Sequence, residues 1–438
     1  MEGTIRALLE NYDRASSMRL HMPGHGGALD RADVTELSGT DDLLDPRPAG
    51  AIRASERAAA KLFRVRQTLY SCSGATLCIQ AGLAFLVSKL PPDAVVVCER
   101  RVHRSVLHAL ALLDLDPVFI EDPFDLPPRA DLLIFCGCDY YGRIPDYARI
   151  ARLCRDRGIL TLVDHAHGAH LAFDREGELH PARYGFDLIV DSLHKTLNCL
   201  TGGALLHLSS DRFGDEEAAY EELKHFFRVF STTSPSFLIL RSIEDALVEA
   251  SRDGKRILET ERALFARLRE RIPGLAAAPD GDPFRLVLRG SYDFEKLYFE
   301  LSKRGVFCEF YERDALVMIP RFGFTEDETN ALARTFDELL PLCSAKRAAA
   351  QVRTERIETQ MTPVRKLSLR RALLSPGVWI DAFAAPGKLA GEVVGAYPPG
   401  NALVLPGEVL TKTAIERSGR SRIRVVEETE IETGRDYR

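Results

Sequence analysis

From about residue 66 to residue 250, short apolar runs alternate with amphipathic stretches. Residues 68–71 lead into a helix expected from near Thr76. Residues 94–98 form a compact strand candidate, followed by a helix over 106–113. Residues 131–135, 159–163, 188–190 and 204–208 complete the strand series, and 147–157 and 216–227 carry helical periodicity. Strands alternating with helices predict an α/β fold with a mostly parallel sheet covered on both faces. In such sheets functional groups gather at the carboxyl ends of the strands. Ser73, His103, Asp164 and Lys195 each follow a predicted strand.

A long helix is expected over 236–268. After it come an apolar strand at 284–288, a helix near 294–303, strand regions at 306–311 and 315–319, and a helix over 326–340. Together these read as a small α/β domain. Residues 344–356, rich in Ala, Lys and Arg, read as a linker or exposed helix. In the last eighty or so residues, Pro376-Gly377, Pro386-Gly387, Pro399-Gly400 and Pro406-Gly407 punctuate short apolar runs, which predicts a loop-rich α+β unit. The expected divisions are an N-terminal arm at 1–65, a large domain at 66–255, the small domain at 256–345 and a C-terminal domain at 346–438.

The 438 residues are 45% hydrophobic and 28% charged, ordinary values for a globular protein of more than one domain. A net charge of -6 weighs against a nucleic-acid partner. No apolar stretch approaches the length of a membrane span, and the N-terminus has no hydrophobic signal core, so a cytoplasmic protein is expected. Nine cysteines without a CxxC pair suit reduced thiols packed in apolar surroundings. Cys136 and Cys138, which close an apolar run, read as packing in preference to a metal or redox pair.

The chemistry concentrates at two strand ends. One apolar run closes on Asp164 and the string His165-Ala166-His167-Gly168-Ala169-His170. The other closes on Asp191-Ser192-Leu193-His194-Lys195-Thr196, ahead of Gly202-Gly203. A lysine and an aspartate at neighbouring strand ends meet two needs of pyridoxal phosphate (PLP): an amine to hold its aldehyde, and an acid to keep its ring nitrogen protonated. The backbone N–H groups of Ser73-Gly74-Ala75-Thr76, at a strand-to-helix junction, would make a phosphate site, although Ser-Gly-x-Thr turns are also common helix caps. Ser192 and His194 are further candidate donors. His103 could stack on a pyridine ring, or merely cap its helix. His165, His167 and His170 with Asp164 invite a metal reading, since alternation puts 165 and 167 on one face of an extended segment. No further ligand stands at a usual metal spacing, and the expectation is PLP without metal.

These strings closely resemble the Orn/Lys/Arg decarboxylase family. His21-Met22-Pro23-Gly24-His25-Gly26-Gly27 looks like that family's HMPGHKGG. Glu36-Leu37-Ser38-Gly39-Thr40-Asp41-Asp42-Leu43 looks like its E-x-x-G-x-DDL. Tyr140-Tyr141-Gly142, Asp164-x-Ala166-His167-Gly168, Ser192-x-His194-Lys195-Thr196, Thr232-Thr233-Ser234-Pro235-Ser236, Tyr397-Pro398-Pro399-Gly400 and Pro406-Gly407-Glu408 follow in family order. The resemblance spans nearly the whole chain and is to the compact branch without an N-terminal wing. It implies the aspartate-aminotransferase (type I) PLP fold and decarboxylation of arginine, lysine or ornithine, a polyamine-related activity. It also implies a homodimer or higher oligomer with shared active sites. Under it, Lys195 holds PLP, Asp164 faces the ring nitrogen and His103 stacks on the ring. Gly74, Ala75, Thr76, Ser192 and His194 contact phosphate or cofactor, Ala166 and His167 line the pocket, and 232–236 reach a neighbour's cofactor.

The chain departs from the family's pattern at three places: Gly26 where a lysine is usual, Leu44 where a histidine is usual, and His165 where a glutamate is usual. These leave the cofactor set whole and bear on substrate preference and turnover. Competing expectations are another type I PLP reaction, such as transamination or desulfuration, and a PLP-binding homologue without turnover that acts as a partner or regulator.

Overall fold

Seven strands and the helices between them occupy residues 67–208 of the computed structural model, which describes residues 1, 3–15, 25, 27–34, 50–344, 363–395 and 402–427. The strands are β1 (Gln67–Ser71), β2 (Val96–Glu99), β3 (Val118–Ile120), β4 (Leu132–Cys136), β5 (Leu160–Asp164), β6 (Leu188–Asp191) and β7 (Ala204–Leu208). The helices are α1 (Thr4–Ala15), α2 (Ala51–Phe63), α3 (Gly74–Val87), α4 (Arg104–Leu112), α5 (Tyr147–Asp156), α6 (Leu193–Thr196), α7 (Glu216–Phe230) and α8 (Phe237–Arg271). The described chain divides into two compact units, residues 1–90 with 137–343 and residues 91–136 with the C-terminal segment.

In the first unit the strands lie in the order β1-β7-β6-β5. β5 and β6 are parallel, with Asp164 opposite Val190. β7 runs antiparallel to both neighbours, Thr68 facing His207 on one side and Ile189 facing it on the other. Every residue of β1, β5, β6 and β7 is buried, which is why β5 and β6 read as compact apolar runs without alternation, while β1 and β7 bury Gln67, Thr68, Ser71 and His207 as well. α8 runs for 35 residues, its buried face carrying Phe237, Leu240, Ile243, Leu247, Leu258 and Phe265. Glu244 on that face accepts from the backbone N–H groups of Ile5 and Arg6 and so caps α1.

The unit continues with an antiparallel sheet in the order β10-β11-β9-β8, formed by β8 (Leu275–Ala276), β9 (Leu286–Arg289), β10 (Phe310–Tyr311) and β11 (Ala315–Met318). α9 (Phe294–Lys303) and α10 (Glu326–Leu342) accompany it, and Thr325 with Glu328 forms a capping box that starts α10. The strand expected over 306–311 contracts to its last two residues. Gly305 takes a positive φ in the turn before it, and Phe307 is exposed.

In the second unit β2 pairs in parallel with both β3 and β4. The C-terminal segment supplies α11 (Leu369–Leu374), β12 (Gly377–Asp381), β13 (Val394–Gly395), β14 (Ala402–Val404), α12 (Lys412–Ser418) and β15 (Arg422–Val426). β12 pairs with β15 and β13 with β14, both antiparallel, so the loop-rich expectation becomes two small ribbons around Val394, Val404, Leu410, Ile415, Ile423 and Val425. The helices at 4–15 and 51–63 and the short strand at 118–120 are elements beyond those expected from the sequence. The 344–356 linker lies, past Ser344, outside the described residues, as do residues 36–44, Gly26 and the Tyr397-to-Gly400 motif.

The Pro406-Gly407-Glu408 motif is part of this second unit's framework. Gly407 holds φ +84°, and a Cβ there would meet the Leu367 carbonyl oxygen at 2.3 Å. Glu408 is buried and grips Arg100 through two hydrogen bonds, Nη1 to Oε1 at 2.5 Å and Nη2 to Oε2 at 2.6 Å. Arg370 meanwhile donates to the carbonyls of Ala111 and Leu112 at the end of α4, where a cation is favoured. Removing one partner of a buried ion pair leaves the other charge uncompensated. Glu408→Ala should therefore cost about 3–5 kcal/mol in denaturant unfolding; a loss below about 1 kcal/mol, the range of an exposed pair, would refute the account.

Candidate active site

β5 and β6 end side by side, and each end delivers a charged group. Asp164 closes β5 and is 6% exposed. Its Oδ1 accepts from the Ala166 backbone N–H at 3.2 Å, the one side-chain hydrogen bond it makes among the described residues. An ionised carboxylate can accept about four hydrogen bonds, so a buried one with a single protein donor suits a further cationic donor. β6 closes on Asp191 and passes through Ser192 into the single turn of α6, which carries Lys195. Lys195 is half-buried, with Nζ 3.2 Å from His167 Nε2.

His167 is held from two sides. The Tyr140 ring lies against it at a centroid distance of 4.2 Å, and Arg285 donates through Nη2 to its backbone carbonyl at 3.2 Å. Arg285 is itself 1% exposed. Sequence reasoning had placed it only within a strand; its mark there was a cation in an apolar run.

The turn after β1 opens on α3. Gly74 takes φ +71°, and a Cβ built there meets nothing within 4 Å. Ser73, the N-cap residue, makes no capping hydrogen bond with its side chain among the described residues, and Ser73 and Thr76 are exposed. The first N–H groups of a helix lack intrahelical partners. The Gly74 N–H is taken by the Gly202 carbonyl at 2.8 Å, which leaves Ala75 and Thr76 at an open, uncapped, fourteen-residue helix start. Gly203 accepts in the same manner from the His194 backbone N–H at 3.3 Å. The Gly-Gly pair therefore ties the start of α3 to the lysine turn. Only glycine fits, since a Cβ at 202 would approach the Cys72 carbonyl to 2.8 Å and one at 203 the Cys199 sulfur to 2.2 Å.

Ser192 Oγ lies 3.3 Å from His194 Nδ1, and the same nitrogen donates to the Gly203 carbonyl at 3.1 Å. Burial holds the His194 pKa below its ordinary value, so Nε2 carries a lone pair in the neutral ring. Donation from Nε2 to a phosphate oxygen would require that ring to take up a proton. His103 belongs to the second unit, where it caps α4 by accepting from the Ser105 N–H. Thr232, Thr233 and Pro235 line a cavity of about 280 Å³ together with Arg53, Tyr220 and Lys224.

The three histidines that invited a metal reading have three destinations. His167 meets Lys195, His170 Nε2 pairs with Asp282 Oδ1 at 3.2 Å, and His165 Nδ1 donates to Asp191 Oδ1 at 2.8 Å. The chain turns directly after β5, with the Gly168 N–H bonded to the His165 carbonyl, so the alternation of an extended segment does not apply. His165, His180 and Asp191 do bring ligand atoms within 4.8 Å of one another. Their geometry is that of N–H donors converging on a central carboxylate, which His180 Nε2 and His207 Nε2 reach at 2.9 and 3.1 Å. An amine, a buried carboxylate with spare acceptor capacity and an open helix start together fit PLP, with its aldehyde, ring nitrogen and phosphate.

Comparison with known proteins agrees with this geometry. The model of the Orn/Lys/Arg decarboxylase major domain matches residues 10–127 and 125–286. A protein of Bacillus subtilis named only YaaO is 25% identical over 96% of this chain and 94% of its own length. The arginine decarboxylase of Halalkalibacterium halodurans is 25% identical over 92% of this chain and 90% of its own. Among solved structures, the lysine decarboxylase of Francisella novicida superposes with a TM-score of 0.77 at 14% identity, over 97% of this chain and 81% of that one. The Sphingomonas wittichii serine palmitoyltransferase matches at 0.53 and 14% identity, over 77% and 83%. These likenesses place the fold among the type I PLP enzymes.

The carboxylate at the centre of the histidine cluster also sets a pH dependence. Burial alone would raise the Asp191 pKa, but His180, His165 and His207 outweigh it and hold the carboxyl well below its usual range. Burial pushes His180 and His207 below their ordinary value, against the pull of Asp191. A histidine with a depressed folded pKa contributes stability that is present above its unfolded pKa, about 6.5, and is lost as pH falls below it. The thermal midpoint should thus decline from about pH 6.5 downward, before ordinary carboxylates titrate near pH 4. His207→Gln should flatten that decline; an unchanged slope would refute the assignment.

Proposed function

We propose that this chain, which belongs to the Orn/Lys/Arg decarboxylase family, releases CO2 from arginine, lysine or ornithine and yields the corresponding amine. Enzymes of this family are PLP-dependent amino-acid decarboxylases, and the chain is one of them. The observation that carries the reading is the Lys195 amine beside His167, on a turn leaving the strand next to the one that ends in buried Asp164. Bound PLP supplies an electron sink for the pair left behind when a carboxylate departs as CO2.

The chain's own groups have separable tasks in this reading. Lys195 holds the cofactor, and an amine does so only when neutral. His167 Nε2, 3.2 Å from Nζ, can take the proton that an ammonium there would give up. Tyr140 and Arg285 fix the imidazole so that the transfer needs no reorientation. Asp164 would face the ring nitrogen, and its burial keeps water from screening its charge. The amides of Ala75 and Thr76 with the Ser192 hydroxyl would hold the phosphate, Gly74 leaving room for its approach and His194 adding a donor once its ring takes up a proton. Ala166 would line the ring pocket, and His103 would stack on the ring. The cofactor domain is read as 66–255, flanked by the arm 1–65, the small domain 256–345 and the C-terminal domain 346–438.

The working form is read as a cytoplasmic homodimer or higher homo-oligomer in which 232–236 extend toward a neighbour's cofactor. No described helix is long and apolar enough to cross a membrane.

Purified, PLP-loaded protein should release CO2 from at least one of the three amino acids, and the preferred one identifies the substrate. Lys195→Ala should abolish the visible absorption band of the bound cofactor along with turnover; an unchanged spectrum would refute its role. Asp164→Ala should leave the protein folded and lower kcat by about two to three orders of magnitude, so near-normal turnover in that variant would sink the assignment.

A further inference from the structure

Asp191 lies four positions before Lys195 and is fully buried. A carboxylate in such a place needs its charge answered by donors. Three imidazoles answer it, each from a different segment: His165 follows β5, His180 precedes a short turn at Pro181–Arg183, and His207 sits inside β7.

Each histidine is fastened elsewhere as well, His180 and His207 through the second ring nitrogen and His165 through its backbone, its Nε2 being buried without a hydrogen-bond partner among the described residues. The His165 backbone N–H donates to the Val190 carbonyl at 2.9 Å, and His165 adjoins Asp164 in sequence. His180 Nδ1 accepts from the Ala182 N–H at 3.2 Å, which leaves Nε2–H to donate to Asp191. His207 Nδ1 lies 2.9 Å from Thr68 Oγ1, whose hydroxyl donates to it, and Thr68 belongs to the strand that leads into Ser73 and Gly74. One carboxylate thus binds together the end of the strand carrying Asp164, the strand feeding the anion cradle and the turn carrying Lys195.

We propose that Asp191 and its three imidazoles form a positioning clamp for the Lys195 turn, and that His165 belongs to this clamp and not to the substrate pocket. This deepens the proposed function and rests on Lys195 as the lysine that holds PLP. The family's usual glutamate at 165 would set a second buried carboxylate against Asp191, where the imidazole nitrogen now sits 2.8 Å from Oδ1. Two like charges so close cannot both remain ionised without large cost. Gly168 belongs to the same arrangement, because a Cβ at that position would come within 2.1 Å of His165 Nε2. The ring is seated between the Asp191 carboxylate and a backbone that admits no side chain.

The test is a double-mutant cycle between positions 165 and 191, read by PLP affinity from the visible absorption band, by kcat and KM, and by the thermal midpoint of the cofactor-free protein. His165→Glu should weaken PLP binding by about tenfold or more and lower kcat, with substrate KM within about twofold, because the reacting groups are misplaced while the substrate pocket is untouched. Adding Asp191→Asn should recover most of that loss, since it removes the opposed charge. The clamp is overturned if His165→Glu binds PLP like the parent, if the two substitutions simply add, or if KM rises while kcat holds. Should either variant fail to fold, His207→Gln removes one leg alone and should weaken PLP binding by about threefold or more; a fall confined to the cofactor-free thermal midpoint would mark a purely structural role and overturn the proposal. Lys195→Ala tests the underlying reading separately, because it removes the cofactor band and leaves the 165–191 coupling visible in the cofactor-free midpoint.

Discussion

Two buried carboxylates close two neighbouring parallel strands, and the number of donors that reach each one decides what it can do. Asp164 and Asp191 are 6% and 0% exposed, and burial without compensation would drive such groups to neutrality. The chain treats them differently. Asp191 receives three imidazole N–H groups. Asp164 receives one backbone N–H among the described residues. A carboxylate enclosed by three imidazoles serves to hold structure in place, whereas an undersupplied one can still accept a donor from a bound molecule. That asymmetry separates framework from chemistry at this strand edge more clearly than the identity of either residue does.

Much of this was legible in the chain, for definable reasons. Strands buried on both faces leave compact apolar runs, and β5, β6 and β7 appear within a residue of the expected places. Lys195 and Asp164 stand out because a charge at the end of such a run must have a use. Other parts were hidden. Asp191 also ends an apolar run, but in the string it reads only as the residue before the Ser192-x-His194-Lys195 motif. His180 and His207 sit in unrelated segments, and only the antiparallel insertion of β7 beside β6 brings His207 to the carboxylate. The three histidines at 165, 167 and 170 misled in the opposite sense. Their spacing suggested a shared ligand, but a turn beginning at His165 sends the rings to Asp191, Lys195 and Asp282.

Motif strings that run in one order mix residues of unlike function, and the structure sorts them. Glu408 closes a motif, yet it spends its carboxylate on Arg100 and on the Leu405 N–H, which fixes the second unit. Gly407 is required there by the Leu367 carbonyl that leaves no space for a side chain. In the sequence Gly202 and Gly203 stand out only as neighbours of the lysine. Their carbonyls accept from Gly74 and His194, so the pair is the splice between the start of α3 and the lysine turn. Sequence spacing cannot show this, because the 127 positions between Gly74 and Gly202 are closed by the β1–β7 pairing.

His165 is where this separation changes the functional question. Read as a string, a histidine in place of the usual glutamate beside Asp164 suggests an altered pocket and therefore an altered substrate. Its side chain is 0% exposed and its Nδ1 is committed to Asp191, so it offers nothing to a diamino acid in solution. A substitution that looks catalytic in one dimension is a change of internal support in three. Selection among arginine, lysine and ornithine depends on where a group of opposite charge meets the distal cation, and on the depth at which it does so. A buried imidazole whose donor is already spent on a carboxylate is removed from that choice, and the discrimination must be built from other side chains.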